Sequence, residues 1–274
     1  MANKIPERLI EVEPSEKYAE RIPTLNYLKL DNLREGKATL ALIGDEHIGS
    51  KYYDADTHHE HVVWCLKHKI PVILMGDELE CATRDSVGAG VYEQQEIIDQ
   101  QLEHFLKVYT PLARAGLILG IHHGNHEMRL WKSSGVNLTR IMAQMLGVHY
   151  WGVGKLHYIR VGEQSYTLYT THGAGGARLP HTKMKKCFDL AQVADAEIYA
   201  MGHVHAMDYS QRTFYRIDRR NKTVGTEKKH FILTGCYLRH WGSYAHQANM
   251  EPVSLGSPKL KLHADEHRIR VSLG

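Results

Sequence analysis

The sequence predicts an α/β fold. In the first half of the chain, short apolar runs alternate with amphipathic helical patterns, which is typical of α/β proteins. The second half is rich in short strand-like runs. No internal repeat, low-complexity segment or linker rich in proline, glycine and serine separates the two halves, so one domain is favoured over two.

Three strands and three helices are predicted in the first half. The strands are short apolar runs that end in polar residues or glycine, and they lie at residues 38–43, 71–75 and 117–121. The helices, which show apolar residues on one side, lie at residues 54–68, 92–109 and 137–146. Asn137 is a suitable N-cap for the third helix, because its side chain can accept from a free backbone N–H.

The second half predicts mainly strands. Two alternating runs on either side of Gly162-Glu163, at residues 156–161 and 166–171, indicate an antiparallel hairpin. A helix at residues 182–193 follows it. The remaining strands are predicted at residues 196–201, 209–217, 230–234, 259–263 and 268–273.

Residues 1–36 are expected to form a peripheral N-terminal arm or a short helix. They carry charges and the prolines Pro6, Pro14 and Pro23, and they show no sustained periodicity. Residues 37–274 then form the single folded domain.

Composition excludes several classes of protein. The 274 residues include 34 Lys and Arg against 31 Asp and Glu, so the net charge is only +3. This nearly balanced charge argues against a basic arm that would bind nucleic acid by charge alone. No apolar run approaches the roughly 18 residues of a membrane span, and the first 20 residues lack the apolar stretch of a secretory signal. The four cysteines are far apart, which argues against a thiolate zinc site and favours a reducing compartment, with the cytoplasm expected.

Five polar clusters each follow directly on a predicted strand. They are Asp45-Glu46-His47, Gly76-Asp77, Asn125-His126-Glu127, His172 and His203-Val204-His205. Loops at the carboxyl ends of strands converge on one crevice in α/β sheets, so these clusters are expected to meet there. Residues two apart in extended backbone point the same way, so Asp45 with His47, and His203 with His205, can each serve one centre.

The side chains in these clusters predict a metal site. Carboxylate and imidazole together suit divalent manganese, iron, zinc or nickel, whereas calcium and magnesium prefer sites rich in oxygen. The number of potential ligands is too large for one ion. It fits two ions about 3.5–4 Å apart that share a carboxylate.

The order D-x-H, GD, GNHE, H, GHxH resembles that of the calcineurin-like metallophosphoesterases. These motifs span residues 45 to 205, and each of them alone is weak, but five in order at strand ends are specific. The resemblance implies a four-layer αββα sandwich of two mixed β-sheets flanked by helices. It also implies a metal-dependent phosphoesterase, in which a water activated by two divalent ions, most often manganese, attacks phosphorus.

The resemblance also assigns roles residue by residue. Asp45, His47 and His205 would bind one metal, and Asn125, His172 and His203 the other, with Asp77 bridging. His126 would be the catalytic histidine that protonates the leaving oxygen.

One departure from the family concerns phosphate binding. Phosphoprotein phosphatases of this superfamily have an Asp three residues after the bridging Asp, followed by Arg-Gly, where this chain has Glu80 and Cys81-Ala82. Glu80 could still orient His126, but the phosphate-binding arginine is missing. Arg129 and Arg178 are the expected substitutes, with Arg84 a further candidate.

These observations favour a phosphodiester substrate, either a nucleic acid or a nucleotide. The missing arginine argues against a protein phosphatase, and Lys183, Lys185 and Lys186 are placed to meet a polyanion. Two alternatives stay open: a phosphomonoesterase acting on a small molecule or a phosphoprotein, and a non-catalytic scaffold that retains the fold. No membrane partner is expected.

Several other residues have a more ordinary interpretation. Five large aromatics are expected in the core rather than as base-stacking platforms: Tyr92, Trp131, Trp151, Trp241 and Tyr244. His58, His59, His61 and His68 are expected on the solvated face of a helix, in preference to a second metal site at His61 and His68.

Overall fold

The computed structural model of the chain describes residues 23–84, 86 and 90–274. Its twelve described strands are β1 Leu25–Lys29, β2 Lys37–Ile43, β3 Val72–Leu74, β4 Ile118–His122, β5 Tyr150–Gly152, β6 Gly154–Val161, β7 Gln164–Thr171, β8 Ile198–Met201, β9 Met207–Asp218, β10 Thr223–Thr234, β11 Lys259–His263 and β12 Ile269–Ser272. Its described α-helices are α1 Ala55–His68, α2 Ile98–Arg114, α3 Glu127–Ser134, α4 Leu138–Leu146, α5 Pro180–Asp189 and α6 Tyr244–Gln247. Short 3₁₀ turns lie at Gly90–Glu93 and Leu190–Gln192.

The strands form two mixed sheets of six strands each. The first sheet has the order β12-β11-β2-β3-β4-β5, in which β2 to β5 are parallel and β11 and β12 are antiparallel to their neighbours. The second sheet has the order β1-β6-β7-β8-β10-β9, with β7, β8 and β10 parallel. Successive side chains of a strand point to opposite faces of its sheet. A central strand can therefore bury one set of side chains between the two sheets and the other set under the helices.

Strand β2 illustrates this alternation. Leu40 and Leu42 belong to a buried cluster that includes Ile198 and Ile232 of the second sheet, whereas Ile43 packs in a cluster with residues of α1, α2 and α4. A third cluster joins α5 to the outer face of the second sheet. The layers are therefore helices, sheet, sheet and helix, and the predicted αββα sandwich is confirmed.

Most predicted elements lie within a residue or two of the observed ones. Asn137 caps α4, and its side chain accepts from the backbone N–H of Arg140 at 3.0 Å. Helix α2 differs from its prediction: it begins at Ile98 and continues past Pro111 to Arg114, because Leu112 is buried in the same core as Phe105. Helix α3 and strand β5 were not predicted.

The expected N-terminal arm differs from the structure in its second half. Residues 1–22 of the arm lie outside the described residues. Leu25–Lys29 form the edge strand β1, which runs parallel to β6, and Leu30 is buried in the core between the sheets. The short strand alternates between exposed and half-buried residues, as an edge strand does.

Strands β9 and β10 form a ribbon that is longer than predicted. Their pairing runs from Met207↔Thr234 to Asp218↔Thr223, whereas β10 pairs with β8 only through residues 230–233. The outer part of the ribbon therefore extends beyond the sheet, and most of its residues are exposed. In the described part of the chain, none of the helices has the length and apolar character needed to cross a membrane.

Candidate metal centre

All five polar clusters lie at the carboxyl ends of strands. Asp45 and His47 follow β2, Asp77 follows β3 and Asn125 follows β4, all in the first sheet. His172 follows β7, and His203 with His205 follows β8, in the second sheet. The site is thus assembled from both sheets.

The potential ligand atoms form two groups that share Asp77. In the first group, atoms of Asp45, His47, Asp77 and His205 lie within 4.8 Å of one another. In the second, atoms of Asp77, His172 and His203 lie equally close. Asn125 joins the second group, since its Oδ1 is 3.1 Å from Nε2 of His172. The structure therefore brings together all seven of the predicted metal ligands.

The distances between these atoms suit a bound cation. Nε2 of His47 lies 3.1 Å from Nε2 of His205, and Nε2 of His205 lies 3.3 Å from Oδ1 of Asp45. Nδ1 of His203 is buried and has no hydrogen-bond partner among the described residues. Because lone pairs that converge at such distances repel, a divalent ion between them would stabilise the arrangement.

Hydrogen bonds fix which ring nitrogens face the site. Nδ1 of His172 donates to the carbonyl oxygen of Met75 at 3.0 Å, and Nδ1 of His47 donates to Oε2 of Glu80 at 3.1 Å. In the neutral ring, these tautomers, assigned from the hydrogen-bond partners, direct the lone pair of Nε2 toward the clustered ligands. Metal-binding histidines are commonly oriented by such bonds on their second nitrogen.

Backbone strain is concentrated in the predicted ligands. Five of the seven have left-handed backbone conformations, with φ of 53° at Asp45, 53° at His47, 56° at Asp77, 68° at His203 and 46° at His205. This conformation is unusual for residues other than glycine, and clusters of such residues are typical of functional sites.

Two glycines allow the strands to approach closely enough for the site to form. A Cβ atom at Gly124 would lie 2.0 Å from Oδ1 of Asp77. Gly76 has φ of 96°, and a Cβ there would lie 2.8 Å from Nδ1 of His172. Only glycine fits either position.

The protonation states of the two carboxylates and of His47 suit cation binding. Burial opposes ionisation of Asp45 and Asp77, but the neighbouring histidines outweigh it, so the pKa of Asp45 is lowered and that of Asp77 lies well below its usual range. Burial lowers the pKa of His47 to about 4, which keeps this ring neutral. Burial also opposes the charged form of His172, but Asp77 outweighs it and raises the pKa of His172 to about 10, so this ring has to lose a proton before it can bind a cation.

His126 lies beside the clusters and contacts Glu80 and Arg129. Its Nδ1 donates to the backbone carbonyl of Glu80 at 2.9 Å, and it lies 3.5 Å from the Glu80 carboxylate. Its Nε2 accepts from Arg129 at 2.9 Å and lies 3.9 Å from Oδ2 of Asp77. Glu80 therefore contacts His126 as expected, but its side chain forms the shorter bond with His47.

The other residues predicted to bind phosphate or a polyanion differ in their surroundings. Arg178 is exposed on the loop between β7 and α5, and no described residue forms a hydrogen bond or ion pair with it. Lys183 is buried, with Nζ 3.5 Å from the backbone carbonyl of the predicted ligand His205. Lys185 pairs with Asp189, and Lys186 donates to the carbonyl of Ala174 at 3.2 Å. Contact of these three lysines with a polyanion stays a prediction.

Sequence reasoning assigned no role to three buried glutamates, Glu46, Glu78 and Glu127, each within two residues of a predicted ligand. Glu127 accepts from the backbone N–H groups of Leu79 and Gly124, and Glu78 accepts from that of Gly76. Burial raises the pKa of Glu46 to about 8 and that of Glu127 to about 7. Their adjacency to ligands was visible in the sequence, but their burial was not.

The interpretation of the helix α1 histidines as solvated holds for the exposed His59 but was wrong for His58 and His61. His58 is fully buried, with Nδ1 2.6 Å from the hydroxyl of Tyr53 and Nε2 2.8 Å from that of Tyr109. Tyr109 in turn donates to Glu46. His61 is half-buried against the hydroxyl of Tyr237. Tyrosines of helix α2 and of two loops, and not solvent, therefore cover these two rings.

Comparisons with known proteins find distant structural neighbours. The chain matches no family profile and no curated protein sequence. A conserved uncharacterized protein of Streptococcus pneumoniae, described as a predicted phosphoesterase, is 12% identical with a TM-score of 0.38, over 87% of this chain and 90% of that one. Vacuolar protein sorting 29 of Cryptosporidium parvum is 16% identical with a TM-score of 0.39, over 87% of this chain and 98% of that one.

A third neighbour was solved with a metal. Wild-type Vps29 of Entamoeba histolytica, complexed with zinc, is 12% identical with a TM-score of 0.38, over 85% of this chain and 97% of that one. Because these TM-scores are below 0.5, nothing about the chain's function follows from these neighbours, and its site is described by the chain's own side-chain geometry. By its two-sheet architecture, and by five ordered motifs that meet at one edge, the chain resembles the calcineurin-like metallophosphoesterases.

Proposed function

We propose that the chain is a dinuclear-metal-dependent phosphoesterase that hydrolyses a phosphodiester in a nucleic acid or a nucleotide. The observation that carries this proposal is the position of Asp77. Its carboxylate belongs both to the group with Asp45, His47 and His205 and to the group with His172 and His203. A carboxylate shared in this way suits two ions about 3.5–4 Å apart.

The chain would supply the ligands of such a site, held in position by the fold and with both carboxylates already charged. Manganese is the expected metal, with iron, zinc or nickel as alternatives, and two such ions would activate a water and offset charge on the phosphoryl oxygens. The ionised Asp45 and Asp77 supply negative charge, and the backbone N–H of His203 holds the Asp45 carboxylate at 2.9 Å.

His126 is the proposed general acid. Its ring is held through Nδ1 by the Glu80 carbonyl, so Nε2 is the atom that can give a proton to a leaving oxygen. Burial opposes the charged form of His126, but Asp77 and Glu80 outweigh it and raise the pKa of the ring. A raised pKa keeps a proton available near neutral pH, as a general acid requires.

Arg129 is the proposed phosphate-binding residue that replaces the missing arginine. Its guanidinium donates to Nε2 of His126 and to the Glu80 carbonyl, so it already lies beside the general acid. When Nε2 accepts from Arg129, the His126 ring is neutral. Movement of the guanidinium onto a phosphoryl oxygen would free Nε2 to carry a proton. Arg178 stays a second candidate from the sequence.

We also propose the cytoplasm as the compartment. All four cysteines, Cys65, Cys81, Cys187 and Cys236, are free thiols and are buried. Free thiols suit a reducing environment.

The direct test compares two nitrophenyl esters. The purified chain with manganese is expected to release nitrophenol from bis(4-nitrophenyl) phosphate faster than from 4-nitrophenyl phosphate, and EDTA is expected to abolish both activities. Asp77→Asn should remove activity and bound metal together, because this change weakens both groups of ligands. His263→Asn, in the separate cluster with Asp265 and Glu266, is the matched control and should leave both unchanged.

The other outcomes of this experiment separate the alternatives. A strong preference for the monoester would favour a phosphomonoesterase. Metal binding without hydrolysis of either ester, or no metal binding at all, would favour a scaffold that retains the fold and would contradict the proposal.

A further inference from the structure

Two exposed aromatic residues lie on loops at the metal-binding edge of the molecule. Tyr92 lies in the connection from β3 to α2, and Trp241 lies in the connection that follows β10. They are 89% and 81% exposed, so the expectation that they are core residues was wrong. Both connections leave the carboxyl ends of parallel strands, which is the edge where Asp77 and His205 lie.

Both loops are tied to the segment that begins at the predicted ligand His47. On one side, the backbone N–H of Lys51 donates to the carbonyl of Glu93 at 2.9 Å. On the other, the N–H of Arg239 donates to the carbonyl of Tyr52 at 2.8 Å, and the hydroxyl of Tyr52 donates to Gly242. Tyr92 and Trp241 are therefore held next to residues 49–53, close to the metal ligands.

The distance from Trp241 to the site is bounded by the chain. The N–H of Tyr237 donates to the carbonyl of Asp45 at 3.0 Å, and Trp241 is four residues further along. Four extended residues span at most about 14 Å, so the backbone of Trp241 lies within about 14 Å of that of Tyr237, which bonds Asp45 directly. At roughly 3.4 Å per nucleotide of one strand, this is the length of about four nucleotides.

The surroundings of Trp241 suit a planar, anionic ligand. Its indole stacks on His246 with ring centroids 4.3 Å apart and 25° between the planes, which holds the ring while most of it stays exposed. The guanidinium of Arg239 lies against the carbonyls of Lys51 and Tyr53. The ammonium of Lys51 lies over the ring of Tyr52 at 4.9 Å and is 3.4 Å from the carboxylate of Glu93, a partner that a phosphate would have to replace or share. Aromatic rings next to fixed cations are the usual means of binding unpaired bases and their phosphates.

We propose that Trp241 and Tyr92 form a base-stacking subsite beside the metal centre, so that the preferred substrate is single-stranded nucleic acid or a short oligonucleotide. This inference rests on the proposed phosphodiesterase function and narrows its substrate class. Lys51 and Arg239 would contact the phosphates on either side of the stacked base. A paired duplex, whose bases are not available for stacking, would be bound less well.

The test uses two diesters with the same leaving group. Thymidine 5′-(4-nitrophenyl) phosphate carries a base, and methyl 4-nitrophenyl phosphate does not, so the ratio of their kcat/KM values isolates recognition of the base. Trp241→Ala and Tyr92→Ala are each expected to lower this ratio about 5- to 150-fold, the range that stacking of one base implies. Tyr215→Ala is the control, because Tyr215 is 86% exposed but lies on the ribbon that extends away from the metal edge.

A binding measurement separates failure of this inference from failure of the proposed function. Fluorescence anisotropy of a labelled eight-residue oligothymidine is compared with that of an abasic oligomer of the same length, in EDTA. Weaker binding of oligothymidine by Trp241→Ala supports the subsite even if neither ester is hydrolysed. Equal binding of the two oligomers by the unmodified chain, or an unchanged kcat/KM ratio in both aromatic variants, would overturn it.

Discussion

His126 is the residue whose proposed role can be isolated from metal binding. We expect His126→Ala to lower turnover of a diester with an alkyl leaving group by about 10²- to 10⁴-fold, because the departing alkoxide needs a proton. The effect on a nitrophenyl ester should be much smaller, since nitrophenol leaves with little assistance. Parallel kinetics on the two esters, together with elemental analysis of bound manganese, provide the measurement.

The metal content decides how a loss of activity is interpreted. His126 also lies in a group with His47 and Glu80 whose atoms could hold a metal. If His126→Ala lost metal along with activity, His126 would be a ligand and not the general acid. If the variant hydrolysed the alkyl ester at the normal rate, the assignment of His126 would be wrong.

His58 gives a prediction at the residue scale that concerns stability. Burial lowers the pKa of His58 to about 3, whereas a histidine in the unfolded chain titrates near 6.5. Between these pH values the unfolded chain binds the proton and the folded chain does not. The contribution of His58 to the free energy of unfolding is therefore complete above pH 6.5 and is lost as the pH falls. The free energy of unfolding falls by about 1.4 kcal/mol per pH unit, or by roughly 2 kcal/mol between pH 6.5 and pH 5.

A variant without the titrating ring isolates this contribution. His58→Gln can still hydrogen-bond one of the two tyrosines, Tyr53 and Tyr109, but it does not titrate. Urea unfolding in EDTA at several pH values should show the unmodified chain losing about 2 kcal/mol more than the variant between pH 6.5 and pH 5. Parallel curves for the two proteins would mean that the ring is protonated in the folded state.

At the scale of elements, the β9–β10 ribbon is the part of the fold with the least burial. Arg212 and Lys229 are paired directly across it, so an Asn-Gly turn can join them in place of residues 213–228. We expect this shortened chain to lose less than about 1 kcal/mol of stability, because the deleted side chains are mostly exposed and their ion pair, Arg216 with Glu227, is at the surface. Thermal unfolding followed by circular dichroism measures the difference.

The metal centre should not depend on the deleted residues. The tip of the ribbon lies at the opposite end of β10 from Thr234, and β10 is parallel to β8, whose carboxyl end carries His203 and His205. Hydrolysis of bis(4-nitrophenyl) phosphate by the shortened chain is therefore expected to be within about twofold of normal. A large loss of activity with the fold intact would place the ribbon in the active site.

The elements that the sequence predicted well are those with a strong local signal. Strand β11 has its predicted bounds because apolar and polar residues alternate along it, and α4 begins after its predicted cap because Asn137 supplies a capping side chain. Helix α3 has only Glu127 fully buried, so it offers no apolar periodicity to detect. Strand β1 is short and exposed, and its pairing with β6 depends on residues about 130 positions away.

The candidate site was more predictable than the fold around it. Its predicted ligands stand in short motifs after apolar runs, so their types, their order and their convergence at the carboxyl ends of strands could be inferred from sequence alone. That the strands belong to two different sheets could not. What could not be inferred is tertiary: the left-handed backbone of Asp45 and His205, and the bond from His47 to Glu80. The same limit explains why Trp241 was expected in the core, since no local pattern distinguishes an exposed indole from a buried one.

At the scale of the whole molecule, the proposed metal ions would join the two sheets. The first group of ligands combines Asp45, His47 and Asp77 of one sheet with His205 of the other, and the second combines Asp77 with His172 and His203. Because these groups converge only in the folded chain, metal binding adds to the free energy of unfolding. At a metal concentration 100 times Kd, one site contributes about 2.7 kcal/mol.

This coupling predicts a metal-dependent melting temperature. We expect manganese to raise Tm by roughly 5–10 °C over the same sample in EDTA, since about 1 kcal/mol corresponds to some 2–4 °C in a domain of about this size. Asp77→Asn should remove most of the shift, because it weakens both groups at once, whereas His205→Asn should remove only part of it. His263→Asn should keep the whole shift, which shows that the ions do not bind at the separate exposed cluster. A shift that survives in Asp77→Asn would mean that the ions stabilise the chain elsewhere, and that the two sheets meet at this edge without a metal between them.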